Sequence, residues 1–278
     1  MSPPMSDPMS QDLDMNRVVG THDLVLITLD TLRFDVAQDL FERGELPTLA
    51  RHLPAGGWER RHSPGSFTYA AHHAFFAGYL PTPAAPGRHA RLFASAFRGS
   101  ETTGRRTFAF EEASLPEALA ARGYHTMCIG GVGFFNKQNA LGRVLPGLFA
   151  ESHWNPSLGV GRRDSARRQV ALAVERLNAV EGRVLLFINV SALHAPNRVH
   201  LPGRDEDSIE THAAALRSVD AALAPLFEAC AARAPTFVIA CSDHGTAYGE
   251  DGHHGHRVAH DVVWTVPYAQ FFLGSSQC

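Results

Sequence analysis

The sequence lacks any apolar run of about 18 residues, which argues against a membrane-spanning helix. It lacks a basic excess: 25 lysines and arginines stand against 28 acidic residues, a net charge of −3, so a nucleic-acid partner is not expected. Cysteine is scarce. Cys128, Cys230, Cys241 and Cys278 show no CxxC spacing, which excludes the reading as a zinc ribbon or a disulfide framework. What the 278 residues do contain is an ordinary apolar fraction of 45% and an unusual 16 histidines. The first suffices for one large domain. The second directs attention to metal ligation and proton transfer.

Residues 1–22 are polar, with Pro3, Pro4 and Pro8 and no apolar core of a secretory leader, and read as a flexible tail. Cytoplasmic residence with reduced thiols is the corresponding expectation. The remainder, 23–278, reads as one domain. Leu24–Leu29, Thr126–Ile129, Val184–Val190, Thr236–Ala240 and Val266–Leu273 are short apolar runs rich in β-branched residues, as strands buried on both faces require. Helical stretches lie between them. Ser114–Arg122 opens with Ser114 and Glu117 at capping-box spacing, and Ala166–Val180 and Ile209–Ala232 repeat apolar residues at helical intervals. The alternation predicts an α/β domain with a mostly parallel central sheet and helices on both faces. Thr82–Arg106, rich in proline and arginine, reads as an insertion or long loop.

Open α/β sheets bind ligands beyond the carboxyl ends of their strands. Here those ends run into Asp30, into Ser191-Ala192-Leu193-His194 and into Ser242-Asp243-His244-Gly245. Each residue alone has a structural role available as a cap or a solvated loop side chain. Together they place carboxylates and imidazoles on one sheet edge, a donor set that suits Zn²⁺ or Mn²⁺ ahead of Mg²⁺ or Ca²⁺. Thr68 falls near the start of an expected helix, where free N–H groups favour an anion, and His72 follows one turn later. A threonine hydroxyl needs a base or a metal to become a nucleophile. In the Gly252-His253-His254-Gly255-His256 cluster and the residues after it, His253, His254 and His260 read singly as a polar loop, and His256 is weighed apart from them. Asn136 and Lys137, after the Gly130–Gly133 run, are candidate substrate contacts. Arg33 and Asp35 read as a structural ion pair, and Asp220 and Cys241 as structural residues.

These motifs, in their order, resemble the alkaline phosphatase superfamily on its sulfatase-like, phosphoethanolamine-transferase-like branch. LVLITLDTLRFD resembles the first strand and metal aspartate, TYAAHHAFFAGYLP the nucleophile helix, and LPEALAARGYHTMCIGG the helix–strand unit that comes next. LFINVSALHAPN resembles the strand that ends in His-x-Pro, and SDHGTAYGEDGHHGH the Asp-His-Gly signature with a distal ligand. The resemblance implies that Asp30, Asp243 and His244 hold a divalent ion with Thr68, and that His194 and His256 bind a second ion or the substrate's charged oxygens. One or two ions are implied, zinc first. His72 would join His194 or His256 in proton transfer.

The departures matter as much. Thr68 cannot become the formylglycine of sulfatases. The lysine and histidine that sulfatases place after the GYHT-like strand fall on Gly131 and Gly133, and their later lysine falls on His256. The expected function is therefore hydrolysis or transfer of phosphate or phosphonate esters through a covalent phosphothreonine, on a small-molecule or headgroup substrate. A sulfuryl ester hydrolase, an intramolecular phosphomutase and a non-catalytic metal-binding member are the alternative classes. The chain stops soon after VPYAQFFLG, where relatives continue into a C-terminal subdomain. A protein partner that completes the site is one reading of that.

Overall fold

The computed structural model describes residues 13–78, 93–95, 108–110 and 113–274. In chain order the strands are β1 (Asp23–Leu29), β2 (Glu59–His62), β3 (Phe93–Ser95), β4 (Phe108–Phe110), β5 (His125–Ile129), β6 (Glu151–His153), β7 (Val184–Val190), β8 (Thr236–Cys241), β9 (Ala247–Tyr248), β10 (His254–Gly255) and β11 (Thr265–Leu273). The helices are α1 (Met15–Val18), α2 (Phe34–Glu42), α3 (Thr68–Ala77), α4 (Leu115–Ala121), α5 (Leu141–Val144), α6 (Ser165–Ala179), α7 (Ile209–Arg233) and α8 (Asp261–Trp264).

Seven strands form one sheet in the order β2-β11-β8-β1-β7-β5-β6. The run from β8 to β6 is parallel, and β11 is antiparallel to both of its neighbours, β8 and β2. β1 sits in the middle, with Ile27 level with Ile188 of β7 and Ala240 of β8. The period of two in a strand sorts its residues between two cores. Val25, Ile27, Leu29, Leu186 and Ile188 pack with α2, α6 and α7 on one face, while Leu24, Leu185 and Phe187 pack with Val18, Phe76, Leu119 and Phe135 on the other. The expected helix–sheet–helix layering is thus present, and no helix among the described residues is long and apolar enough to cross a membrane.

One expectation shifts. The tail expected over residues 1–22 ends earlier, because α1 caps on Asp14 and buries Val18 to 1% exposure in the second core. Its anchor is Gly20, whose N–H donates to the Tyr124 hydroxyl. The expected loop Thr82–Arg106 lies outside the described residues except for Phe93–Ser95, as do residues 1–12 and Cys278. The other three cysteines are buried and unpaired. The capping box of α4 is present as expected.

The edge strand β6 is guarded by charge. Glu151 accepts from Arg176 Nε at 2.6 Å and bonds His125 at 2.9 Å and His153 at 2.5 Å. Its carboxyl is held down at about 2, foremost by the Arg176 hydrogen bond. His153 O accepts from Gly130 N within the ladder, so alternation turns the Ser152 carbonyl outward. Lys137 Nζ donates to that carbonyl at 3.0 Å. A lysine on an open edge is a common defence against strand addition.

Phe187 carries the second core. It is fully buried and meets the rings of Phe76, Phe135, Phe149 and His72 within 5.7 Å. Phe187→Ala is expected to cost about 3–5 kcal/mol, read from urea unfolding midpoints at unchanged slope.

Candidate metal and nucleophile centre

The middle strands of the sheet build the site. β1 and β8 are parallel neighbours, so the residues just beyond their carboxyl ends, Asp30 and Asp243, emerge side by side. Both are fully buried. Thr31, at φ +65°, turns the chain sharply after Asp30, an unusual conformation for a β-branched residue. Two bonds hold it there: its N–H donates to Asp243 Oδ1 at 3.2 Å and its hydroxyl to Leu193 O at 3.1 Å. The Asp243-His244-Gly245 turn passes so close to α8 that a Cβ on Gly245 would lie 1.9 Å from Val262 O. Only glycine fits there.

α3 delivers the nucleophile candidate. Thr68 is its first residue, preceded by Phe67 in extended conformation. Thr68 Oγ1 lies 3.4 Å from Asp30 Oδ2 and 3.3 Å from His244 Nε2. His244 Nδ1–H donates to Gly245 O at 2.8 Å, which leaves the Nε2 lone pair aimed into the centre.

The donor set fits a divalent cation. One ligand atom each of Asp30, Asp243 and His244 lies within 4.8 Å of the others. Asp30 Oδ1 and Asp243 Oδ2 are buried and have no hydrogen-bond partner. An unpartnered buried carboxylate oxygen is costly, and two facing one another are costlier still. The strain registers in their ionisation. Burial, then the neighbouring Asp243 charge, raises Asp30 to about 6, and burial raises Asp243 to about 7. A bound cation removes both penalties at once.

His194 and His256 stand beside this cluster and outside the three-residue set. The His256 ring is 4.7 Å from that of His244 and 5.5 Å from that of His194. Burial, followed by the charges of His244, His194 and Arg257, holds His256 down at about 3, so it is neutral at ordinary pH. His194, half-buried, donates from Nδ1 to Ala195 O at 2.7 Å.

His72 occupies a different position from the one its proton-transfer role requires. It is fully buried beneath Thr68, ringed by Phe75, Phe76, Phe135 and Phe187. Its Nδ1–H donates to Thr68 O at 2.7 Å, and its Nε2 accepts from Thr28 Oγ1 at 3.0 Å. Both nitrogens are therefore spent on the protein, and burial pushes the ring down to about 3. The geometry makes His72 a positioning residue for the start of α3. Nitrogen-detected NMR is expected to show one neutral tautomer, protonated at Nδ1, from about pH 5 upward. An imidazolium signal near neutral pH would contradict this.

Asn136 and Lys137 are likewise engaged locally. Asn136 Oδ1 accepts from Gln138 N, and Lys137 is spent on the edge of β6. Among the described residues no hydrogen bond or ion pair ties either to the site. Their loop contributes instead through Phe135, against His72, and Phe134, against Phe67 and Tyr69.

Sequence reasoning misses Asn189. This fully buried amide on β7 donates to Asp30 Oδ2 at 3.0 Å and to Thr28 Oγ1 at 3.4 Å. It closes a circuit from Asp30 through Asn189, Thr28 and His72 to the Thr68 carbonyl. Its only signal is a lone amide in the apolar run VLLFINV. Arg33 pairs with Asp35 as expected, at 2.6 Å. It also bonds Glu250 and the Thr246 carbonyl, which anchors the segment leading to the β9–β10 hairpin and His256.

Comparison with known proteins adds to this geometry. A family model described as Sulfatase matches residues 22–268. The C-terminal periplasmic domain of phosphoethanolamine transferase EptC from Campylobacter jejuni is similar over 91% of this chain and 79% of that one, at 15% identity and a TM-score of 0.57. The corresponding domain of EptC from Escherichia coli, in complex with Zn, is similar over 90% and 72%, at 13% identity and 0.63. The lipoteichoic acid synthase LtaP from Listeria monocytogenes is similar over 94% and 67%, at 13% identity and 0.58. No curated protein matches. The family match bears out the resemblance carried by the motifs, and the structural likenesses bear out the fold.

Proposed function

Because this chain belongs to the sulfatase family, we propose that it is a metal-dependent enzyme that hydrolyses or transfers phosphate or phosphonate esters through Thr68. The observation that carries the proposal is the convergence of Thr68 Oγ1, the unpartnered oxygens of Asp30 and Asp243, and His244 Nε2 on one buried point. Asp30, Asp243 and His244 would hold the ion, with Thr68 adjoining. Zinc is the first candidate, given the donor set and the zinc complex of the Escherichia coli EptC domain. Bound there, a divalent ion lowers the pKa of the threonine hydroxyl and offsets charge on the phosphoryl oxygens.

The chain's own residues do the rest. The free N–H groups at the start of α3 face the anionic oxygens. Thr68 Oγ1 forms a bond to phosphorus as the bond to the leaving oxygen breaks, giving phosphothreonine. His194 Nε2, the nitrogen not engaged by Ala195, carries the Thr68 hydroxyl proton to the leaving oxygen, then takes a proton from the incoming water or alcohol and returns it to Thr68 Oγ1. That acceptor then displaces Thr68. The Asn189–Thr28–His72 circuit holds Asp30 and the Thr68 backbone in register throughout.

Phosphoryl rather than sulfuryl chemistry is favoured by Gly131. A Cβ there would lie 2.3 Å from Asn189 O and 2.8 Å from Ser191 Cβ, so the lysine of sulfatases has no room. A diester or phosphonate is the preferred substrate, because the described residues hold one three-residue donor cluster, matched to a singly charged phosphoryl group. The test is turnover of an aryl phosphodiester and the matching aryl sulfate with added zinc or manganese. Turnover of the phosphodiester alone is expected, and faster turnover of the sulfate would reverse the assignment.

A further inference from the structure

Beside Thr68 stands a cation that the proposed mechanism does not use. Arg257 comes directly after His256, at φ +67°, a left-handed conformation that a long side chain rarely adopts. Its backbone N–H donates to Ser66 O at 2.8 Å, which ties this turn to the segment entering α3. The guanidinium lies over the Phe67 ring, 5.7 Å from its centroid. Phe67 is the residue immediately before Thr68. Arg257 is exposed, and among the described residues it forms no ion pair, whereas Arg33, Arg176 and Arg233 each hold a carboxylate. Its charge is nonetheless felt at both His244 and His256, whose protonation it opposes.

The surroundings are equally specific. Phe67 and Tyr69, on either side of Thr68, both contact Phe134, at 6.4 and 5.4 Å between centroids, and all three rings are partly exposed. Phosphoryl oxygens are served by the buried donors and the start of α3. An aromatic wall topped by an unpaired guanidinium, at the lip rather than the floor, faces whatever the phosphorus is attached to. A guanidinium seated on a ring is also pre-organised, so it loses little freedom on pairing with an anion.

We propose that Arg257, seated on Phe67 at the lip of the Thr68 site, is a specificity determinant that reads a negative charge on the group attached to the reacting phosphorus. The substrate class is then an ester or phosphonate whose organic part carries a carboxylate or a further phosphate. This rests on the phosphoryl-transfer reading of the same site.

The test separates the two. Zinc-loaded protein is titrated calorimetrically with phenylphosphonate and with para-carboxyphenylphosphonate, neither of which needs to react. Wild type is expected to bind the carboxylated compound about tenfold more tightly. Arg257→Ala is expected to erase that ratio while keeping affinity for phenylphosphonate, and Arg257→Lys to restore part of it. A purely structural role for Arg257 would weaken both ligands together. Equal affinities in wild type, a ratio that survives Arg257→Ala, or no binding of either compound overturns the inference. Aryl phosphodiester turnover, scored separately, decides the reading beneath it.

Discussion

Thr68→Ala is expected to remove the proposed turnover of an aryl phosphodiester by the zinc-loaded protein, a loss on the order of 10⁴-fold in kcat. The substitution deletes one oxygen and one methyl from a residue 1% exposed, and leaves the backbone carbonyl that accepts from His72 in place. The fold is therefore retained, and circular dichroism melting is the control. Thr68→Ser keeps the hydroxyl and retains measurable turnover. Quenching wild type during turnover is expected to leave a phosphoryl group on the Thr68 peptide, visible by mass spectrometry. Equal rates in wild type and Thr68→Ala would mean that water, not threonine, attacks phosphorus.

The second large effect has two signs. Asp243→Asn is expected to abolish tight zinc binding, since it replaces one of the proposed donors with a neutral amide. In chelator the same substitution stabilises the protein at alkaline pH. Asp243 is raised by burial to about 7 from an ordinary 3.8. A carboxyl raised in the folded state contributes stability that is complete below about pH 4 and lost as pH rises through 7. Asp30, raised to about 6 by burial and then by Asp243, acts in the same direction and is relieved by the same change. His212, pushed down by burial, acts oppositely but is common to both proteins and cancels in the comparison. Metal-free Asp243→Asn therefore melts together with wild type near pH 4 and about 5 °C or more above it at pH 8. Saturating zinc reverses the order. A gap independent of pH, or wild type the more stable in chelator at pH 8, would mean that the two carboxylates do not oppose each other.

These effects are legible at particular residues. Strands buried on both faces stand out as continuous apolar runs, and the residues just after each run lie on one edge of a parallel sheet. That logic places Asp30, Asp243 and His194 without coordinates. It cannot place β2, whose residues Glu59–His62 are all exposed and pair with β11. Nor can it place β6, whose Glu151 bonds His153 and the neighbouring strand's His125 rather than joining a core. His72 sits at the correct spacing from Thr68 for a shared site, but spacing does not reveal that four phenylalanines close over the ring. Lys137 resembles a substrate contact because it comes after a strand end; the outward carbonyl of an edge strand claims it. Arg33 and Glu250 are 217 residues apart, a pairing no local pattern could suggest.

The central place of β1 carries a consequence for biosynthesis. This strand is among the first segments of the domain to be made, yet both of its partners, Val184–Val190 and Thr236–Cys241, come more than 150 residues later. At ordinary rates of synthesis the interval is on the order of tens of seconds. Throughout it, LVLITL has two apolar faces and no neighbour, a segment that calls for chaperone shelter. Asp30 and Asp243 meet only when the sheet is nearly complete. The proposed cation could therefore not template the early nascent chain; it would find its donors only in a molecule that has already folded, and its arrival would serve as a seal on the finished protein.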